Sequence, residues 1–238
     1  MGRKGRVHYA WIVLAVLAVQ LIAASGLRSV FGVFIKPLEA EFGWSRTSLS
    51  AAAALSLLLF GAGAPIAGRM ADLWGGRVVF AAALGLMGIG TLASSFVTQL
   101  WHVYVASGIV LGLGAAGATL ASAIPVVTRW FDRRRGLIIG IVGAAMSAGQ
   151  LVVVPLAMWL MLQLGWRSSY FWLSIGLFLL ILPVSVALLR NDPRDKGIAP
   201  YGADPRVSPV ATGSLPAEAR VSITQATQVP AFWLLSGS

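Results

Sequence analysis

The sequence lacks cysteine and carries unusually few charged side chains. Only 11% of its 238 residues are charged, whereas a soluble globular domain carries about 25%. A chain with so few charges cannot cover a water-facing surface, which excludes an ordinary soluble domain. The absence of cysteine excludes disulfides and thiolate metal ligands.

Patterns typical of enzymes are absent as well. The sequence has no glycine-rich phosphate loop, no serine–histidine–aspartate set and no pair of carboxylates placed to share a cleft. Its two histidines, His8 and His102, lie near predicted helix starts without acidic neighbours, so we expect no metal site and no cofactor. These absences predict a protein that is not an enzyme.

Acidic residues are scarce, and all eight lie outside the long apolar runs. They are Glu39, Glu41, Asp72, Asp132, Asp192, Asp195, Asp204 and Glu218. A cation inside an apolar run therefore has no carboxylate in any of these runs to neutralise it.

Long apolar runs are abundant, since 58% of the residues are hydrophobic. Six runs have the character of transmembrane helices, which need ~20 residues. They cover residues 9–35, 47–67, 78–97, 102–127, 137–163 and 168–189. The first run begins like a signal peptide, but it continues to Ile35, which favours an uncleaved span. The predicted fold is an all-α membrane protein with six transmembrane helices.

The composition changes after Arg190. Residues 1–190 are the predicted six-helix transmembrane bundle, and residues 191–228 form a polar stretch that we interpret as a cytoplasmic linker. An apolar run restarts over residues 229–238, too short to span a bilayer, and we interpret it as the start of a truncated seventh transmembrane helix.

Basic residues are distributed unevenly between the two sides of the predicted bundle. With the N-terminus inside, four of the 18 fall on the outer side, namely Arg28, Lys36, Arg46 and Arg167, and the other 14 on the inner side. This asymmetry predicts a multi-pass protein of the cell membrane with a cytoplasmic N-terminus. We attribute the net charge of +10 to contacts with anionic head groups of the lipid bilayer, not to nucleic-acid binding.

A glycine-rich loop, "GRMADLWGGR", joins the second and third predicted spans on the cytoplasmic side. We expect Gly68 to end one helix and Gly75 to permit the reversal into the next. Asp72 and Arg77 are available to the helix ends or to each other. The spacing Gly-x-x-x-Asp-x-x-Gly-x-Arg resembles the signature loop of the major facilitator superfamily. That resemblance implies a gating role for Gly68, Asp72, Gly75 and Arg77.

Further segments resemble one branch of that superfamily. "FGVFIKPLEAEFGWSRTSLS", "RWFDRRRGLIIGIVGAAMSAGQ" and "LGWRSSYFWLS" look like the monocarboxylate porter and oxalate/formate antiporter branch, and "DPRDKGIAPYGAD" resembles its bacterial members. The resemblance covers about residues 9–238. It implies two six-helix halves, of which this chain is the N-terminal one plus the opening of helix 7. It also implies a small organic anion as substrate and the bacterial inner membrane as location.

Polar residues inside the spans are the candidate substrate ligands, because such groups usually face a bundle interior. Gln20 and Arg28 fall within about 80° of each other on the first helix at ~100° per residue, and Gln150 lies in the fifth span. Arg28 is either a solvated cation near the outer end of its helix or a ligand for an anion. The lack of a carboxylate in the spans favours the anion ligand.

Together these observations predict a secondary active transporter of a mono- or dicarboxylate that works by alternating access. Its expected partners are the organic anion, the lipid bilayer and a coupled proton or counter-anion. Two alternatives stay open. One is a major facilitator exporter of drugs or sugars, and the other is a non-transporting membrane sensor or assembly subunit.

Overall fold

The protein is helical throughout the part of the chain that the structure describes. The computed structural model describes residues 8–193 and 197–202, where the β-type pairing is limited to one bridge between Phe131 and Tyr201. The predicted all-α class is confirmed. Among the described residues, five helices are long and apolar enough to cross a membrane: Tyr9–Phe42, Arg46–Trp74, Gly76–Ser94, Leu100–Trp130 and Arg135–Leu188.

The predicted count of six separate helices needs a correction, because the fifth and sixth are joined. Arg135–Leu188 contains 54 residues, about 81 Å of helix at 1.5 Å per residue, far more than the ~30 Å hydrocarbon core. Gly165 interrupts it with φ 78° and ψ 166°, a backbone conformation that favours glycine. The predicted connector is thus reduced to one residue. We label the first four helices α1–α4, residues 135–164 α5, and residues 166–188 α6.

Contacts along α1 show that α6 returns across the bundle. At one end of α1, Glu41 accepts hydrogen bonds from the Trp166 indole at 2.5 Å and from Arg167 at 2.9 Å. At the other end, the Tyr9 hydroxyl donates to the Leu188 carbonyl at 2.8 Å. Because the two ends of α6 meet opposite ends of α1, the two helices are antiparallel. The described part of the chain therefore crosses the bundle six times.

The α1 helix is the most enclosed element of the bundle, and it crosses α5 at close range. Gly26 of α1 and Gly149 of α5 lie at this crossing, where an added Cβ on either would overlap the opposite helix. Gly149 packs on the backbone of Ile22, and the Ser25 hydroxyl donates to the Met146 carbonyl at 2.6 Å. Small residues thus allow the backbones to approach closely, as is common in membrane helices.

Irregular turns interrupt α4 and α6. The segments of α4 are Leu100–Val103, the π-helical Tyr104–Val110, Leu111–Gly117 and Leu120–Trp130. The α6 helix contains a second π-helical segment, Leu177–Ile181. Such wide turns are frequent at functional sites, and the one in α4 carries Ser107, which lines the cleft described below.

The chain after α6 turns back toward the α4–α5 connector. The backbone N–H of Tyr201 donates to the Trp130 carbonyl at 2.9 Å, and that of Asp132 donates to the Tyr201 carbonyl at 3.1 Å. Most of the predicted linker 191–228, and the predicted seventh-helix start at 229–238, lie outside the described residues. The division of the chain into these segments therefore stays a prediction.

Candidate functional site

A cleft of about 120 Å³ lies between α1, α2 and α4. Its walls combine apolar side chains with one guanidinium and two hydroxyls. The lining residues are Arg28, Phe31, Gly32 and Ile35 of α1, Ala53, Ser56 and Leu57 of α2, and Ser107 and Leu111 of α4. The volume equals that of about four water molecules in the liquid, which is the scale of a small organic molecule.

Arg28 is the charged residue in the lining of this cleft. Its side chain is half-buried, and its guanidinium carbon lies 4.4 Å from the centre of the Phe60 ring of α2. This cation–π contact orients the guanidinium without neutralising its charge. No carboxylate of a described residue lies within ion-pairing distance of Arg28. The cleft therefore presents a directed, unpaired cation.

The two predicted glutamine ligands lie elsewhere. Gln20 is fully buried, and its amide nitrogen donates to the Ser185 hydroxyl of α6 at 2.5 Å. Gln150 is exposed on α5. Neither residue lines the cleft, so the structure does not bring the three predicted ligands together.

The loop between α2 and α3 differs from the prediction in where α2 ends. Gly68 does not end α2, because the helix continues to Trp74. The break is at Gly75, whose φ of 87° and ψ of 145° favour glycine, and α3 follows directly. Asp72 consequently lies in the last turn of α2. Its side chain is exposed and makes no ion pair with a described residue.

Arg77 and Asn191 connect this loop to the end of α6. The backbone N–H of Arg77 donates to Asn191 Oδ1 at 2.8 Å, and its guanidinium Nη2 donates to the Val186 carbonyl at 2.5 Å. A Cβ on Gly75 would overlap the Asn191 side chain. Arg77 therefore contacts a helix C-terminus, where a cation is favourable, and does not pair with Asp72.

At the opposite end of the bundle, Glu41 lies beyond the apolar run of α1. Hydrogen bonds from the Trp166 indole and then from the Arg167 guanidinium hold the pKa of the Glu41 carboxyl below its ordinary value, because both favour the charged form. Arg167 also donates to the carbonyls of Ser95 at 3.3 Å and Val97 at 3.0 Å. This cluster joins the ends of α1 and α3 to the α5–α6 turn.

Sequence reasoning missed three residues at these sites. Phe60 is one of many aromatic residues in the apolar runs, and Ser107 is one of many small residues, so neither carries a distinguishing signal. Asn191 does carry one, because asparagine is common just past the C-terminus of a helix.

Solved structures share this helical arrangement. The chain is similar to a bacterial homologue of the human lysosomal transporter Spinster, in an inward-facing and unoccupied conformation, with a TM-score of 0.68 and 18% identity, covering 98% of this chain and 52% of that one. It is also similar to the inward-open xylose transporter XylE from E. coli, with a TM-score of 0.66 and 16% identity, covering 78% and 49%. At these identities the likeness shows the fold alone.

Sequence comparison identifies the family. The chain is 31% identical over 183 residues to mouse monocarboxylate transporter 11, covering 76% of this chain and 40% of that relative. It thus spans less than half the length of that relative. The sequence model of the family described as Major Facilitator Superfamily matches residues 17–238 of this chain. Because this match covers most of the sequence, the chain belongs to the Major Facilitator Superfamily, a family of multi-pass membrane transporters and not of enzymes.

Proposed function

We propose that the protein containing this chain is a secondary active transporter of a small organic anion, a mono- or dicarboxylate, that works by alternating access. The observation that carries the proposal is the unpaired cation Arg28 in a small, largely apolar cleft. The similarity to monocarboxylate transporter 11 supports the substrate class.

The energetics of Arg28 favour an anionic ligand. A guanidinium inside a membrane-spanning helix costs about 2.5–3.5 kcal/mol on insertion scales. A carboxylate offsets that cost, since it accepts two parallel hydrogen bonds from the guanidinium edge. The Phe60 ring contacts the guanidinium, whose N–H groups make no hydrogen bond with a described residue and are therefore available to a ligand.

The two glutamines have different roles in this proposal. Gln150 is exposed and makes no hydrogen bond with a described residue, so it is available as a second substrate contact. Gln20 acts at a distance, because its hydrogen bond to Ser185 fixes α6 against α1. A coupled proton or counter-anion completes the proposal. With no acidic residue inside the predicted spans, a coupled proton is carried by the substrate or by residues of the full-length protein outside this chain.

Gating is assigned to the loop between α2 and α3. Gly75 forms the break after α2, Gly68 faces Ala121 of α4 from within α2, and Arg77 holds the loop against α6. The exposed Asp72 carboxylate is left available to contact another part of the full-length protein in one gate state.

The orientation follows from the distribution of charge. At the end of the bundle that carries Tyr9 lie seven described arginines: Arg69, Arg77, Arg129, Arg133, Arg134, Arg135 and Arg190. The opposite end carries Lys36, Arg46 and Arg167. The positive-inside rule then supports a cytoplasmic N-terminus, in the inner membrane if the source is bacterial.

The direct test replaces Arg28 in the full-length protein, reconstituted in vesicles. Arg28→Ala is expected to raise the half-saturating concentration for carboxylate uptake about tenfold or more, since it removes a charge-assisted pair. Arg28→Lys keeps the charge but loses the two-pronged geometry, so an intermediate effect is expected.

Arg46→Ala is the matched control, because Arg46 is an exposed cation at the start of α2, outside the cleft. Carboxylate uptake that is unchanged in Arg28→Ala would contradict the proposal. Saturable uptake of an uncharged sugar or a drug, insensitive to Arg28→Ala, would replace it with the exporter alternative.

A further inference from the structure

One hydroxyl in the lining of the cleft, that of Ser107, already donates its proton to a neighbouring side chain. Ser107, in the π-helical segment of α4, lines the cleft, and its Oγ lies 2.9 Å from the Oγ of Ser94 on α3. Ser94 is buried and does not line the cleft. Its own hydroxyl donates to the Gly90 carbonyl at 2.8 Å.

A count of protons fixes the direction of the bond between the two serines. A serine hydroxyl has one proton to donate and two lone pairs to accept. Because Ser94 gives its proton to Gly90, the proton between the serines must come from Ser107. Ser107 therefore has no proton left for a ligand. Its oxygen has two lone pairs, so it can accept from the neighbouring buried Tyr170 hydroxyl of α6 and still offer the cleft a hydrogen-bond acceptor.

The cleft consequently has two polar groups of opposite kind. Arg28 on α1 has N–H donors and no acceptor, whereas Ser107 on α4 presents a lone pair. Ser56 on α2 is the third polar residue of the lining and makes no hydrogen bond with a described residue, so its hydroxyl is free to turn either way. The rest of the lining is apolar, so a second charged group on a ligand finds no partner among these residues.

We propose that Ser107, oriented by Ser94, is a specificity-determining residue that selects carboxylates bearing a hydrogen-bond donor, such as hydroxy acids, over oxo acids of the same carbon skeleton. This inference rests on the proposed function, since it requires the carboxylate to bind at Arg28. A hydroxyl on the ligand donates to Ser107. An oxo oxygen in the same place meets another acceptor, and neither group is satisfied.

The test compares three probes that differ in one position: 2-hydroxybutanoate, 2-oxobutanoate and unsubstituted butanoate. Binding of each is measured by inhibition of labelled 2-hydroxybutanoate uptake and by thermal stabilisation of the purified full-length protein. The wild type is expected to bind the hydroxy acid about tenfold more tightly than the oxo acid, the size of one hydrogen bond against an unpaired acceptor. In Ser107→Ala the two acids are expected to bind within about twofold of each other.

Ser94→Ala is the decisive variant, because Ser94 does not line the cleft and can act on a ligand only through Ser107. Without Ser94 the Ser107 proton is released, so Ser107 can donate to an oxo group and the preference falls or reverses. A residue with a merely structural role would not change this ratio. Ser29→Ala is the matched control, since it removes a hydroxyl beside Arg28 that does not line the cleft and donates to the Ser25 carbonyl, so the wild-type ratio is expected to remain.

Butanoate separates this inference from the proposed function. If butanoate binding is lost in Arg28→Ala while the hydroxy-to-oxo ratio is unchanged in Ser107→Ala and Ser94→Ala, the assignment of Ser107 is wrong and the anion site stands. If no probe binds the wild type, both are overturned. A ratio that collapses in both serine variants, with butanoate binding retained, supports the inference.

Discussion

The backbone N–H of Arg77 lies 2.8 Å from Oδ1 of Asn191, so a residue just past α6 holds the loop between α2 and α3. Gly75 packs against the same side chain. The proposed gating loop is therefore positioned from within its own bundle, by Asn191 and by the Val186 carbonyl that receives the Arg77 guanidinium. Asp72 takes no part in these contacts with described residues, which leaves it available for a gate.

Replacing Asn191 is expected to loosen this loop. Asn191→Ala removes the acceptor for Arg77 and should cost about 1 kcal/mol, the net value of one hydrogen bond. Thermal unfolding in detergent should detect a loss of about 2–4 °C. Asn191→Asp keeps an oxygen in place and serves as the control. Equal melting temperatures for Asn191→Ala and the wild type would show that the bond contributes nothing.

Two glycines of α5 are expected to differ in how well they tolerate replacement by alanine. Gly149 faces the backbone of α1, whereas a Cβ on Gly143 meets open space. Gly149→Ala should destabilise the protein by about 1–3 kcal/mol through overpacking, and Gly143→Ala should be neutral or slightly stabilising through helix propensity. Thermal unfolding of the two variants measures the difference, and similar values would refute the close crossing of α1 and α5.

The helix pattern was largely predictable from the sequence, but the α5–α6 turn was not. The stretch "QLGWRS" marks the position of the break. That the break is one glycine with φ 78° depends on contacts distant in sequence, because Glu41 of α1 holds Trp166 and Arg167 on the far side of the turn. Local patterns do not contain those partners.

The candidate site was predictable in part for a related reason. The absence of acidic residues from the spans singled out Arg28, and the structure places it in a cleft without a carboxylate partner among the described residues. The periodicity of the α-helix also predicted that Gln20 and Arg28 share one face of α1. However, α1 is enclosed by neighbours on several faces, and the Gln20 side chain donates its hydrogen bond to Ser185 of α6. An angle on one helix cannot say which neighbour covers which face.

Phe60 is expected to tune the affinity of Arg28 without changing the fold. Phe60→Leu removes the aromatic ring that contacts the guanidinium but keeps an apolar side chain. The loss of a cation–π contact of about 0.5–1 kcal/mol should weaken carboxylate binding about two- to fivefold. Phe60→Tyr retains the ring and should bind as the wild type does. Competition uptake by the full-length protein is the measurement, and equal affinities for Phe60→Leu and the wild type would contradict a role for the ring.

Stability is expected to depend on pH through Glu41. Its folded-state pKa is lowered by Trp166 and Arg167, whereas the unfolded chain has an ordinary glutamate pKa of about 4.3. A lowered pKa means that the contribution to stability is fully present above the unfolded value and is lost as the pH falls through the folded value. The melting temperature of Glu41→Gln should therefore lie about 1–3 °C below that of the wild type near pH 7, the range of an exposed ion pair. The gap should close as the pH falls below about 4.

Trp166→Phe tests the cause of this dependence. It keeps an aromatic ring but removes the indole N–H, the stronger of the two influences on the Glu41 pKa. We compare Trp166→Phe with the double variant Trp166→Phe/Glu41→Gln. The pH at which their melting temperatures become equal should be higher than for the corresponding pair without the Trp166 change, because only Arg167 still favours the charged carboxylate. If that pH is unchanged, Arg167 alone sets the ionisation of Glu41. If the difference in melting temperature persists at low pH, the hydrogen bonds to Glu41 stabilise its neutral form equally well.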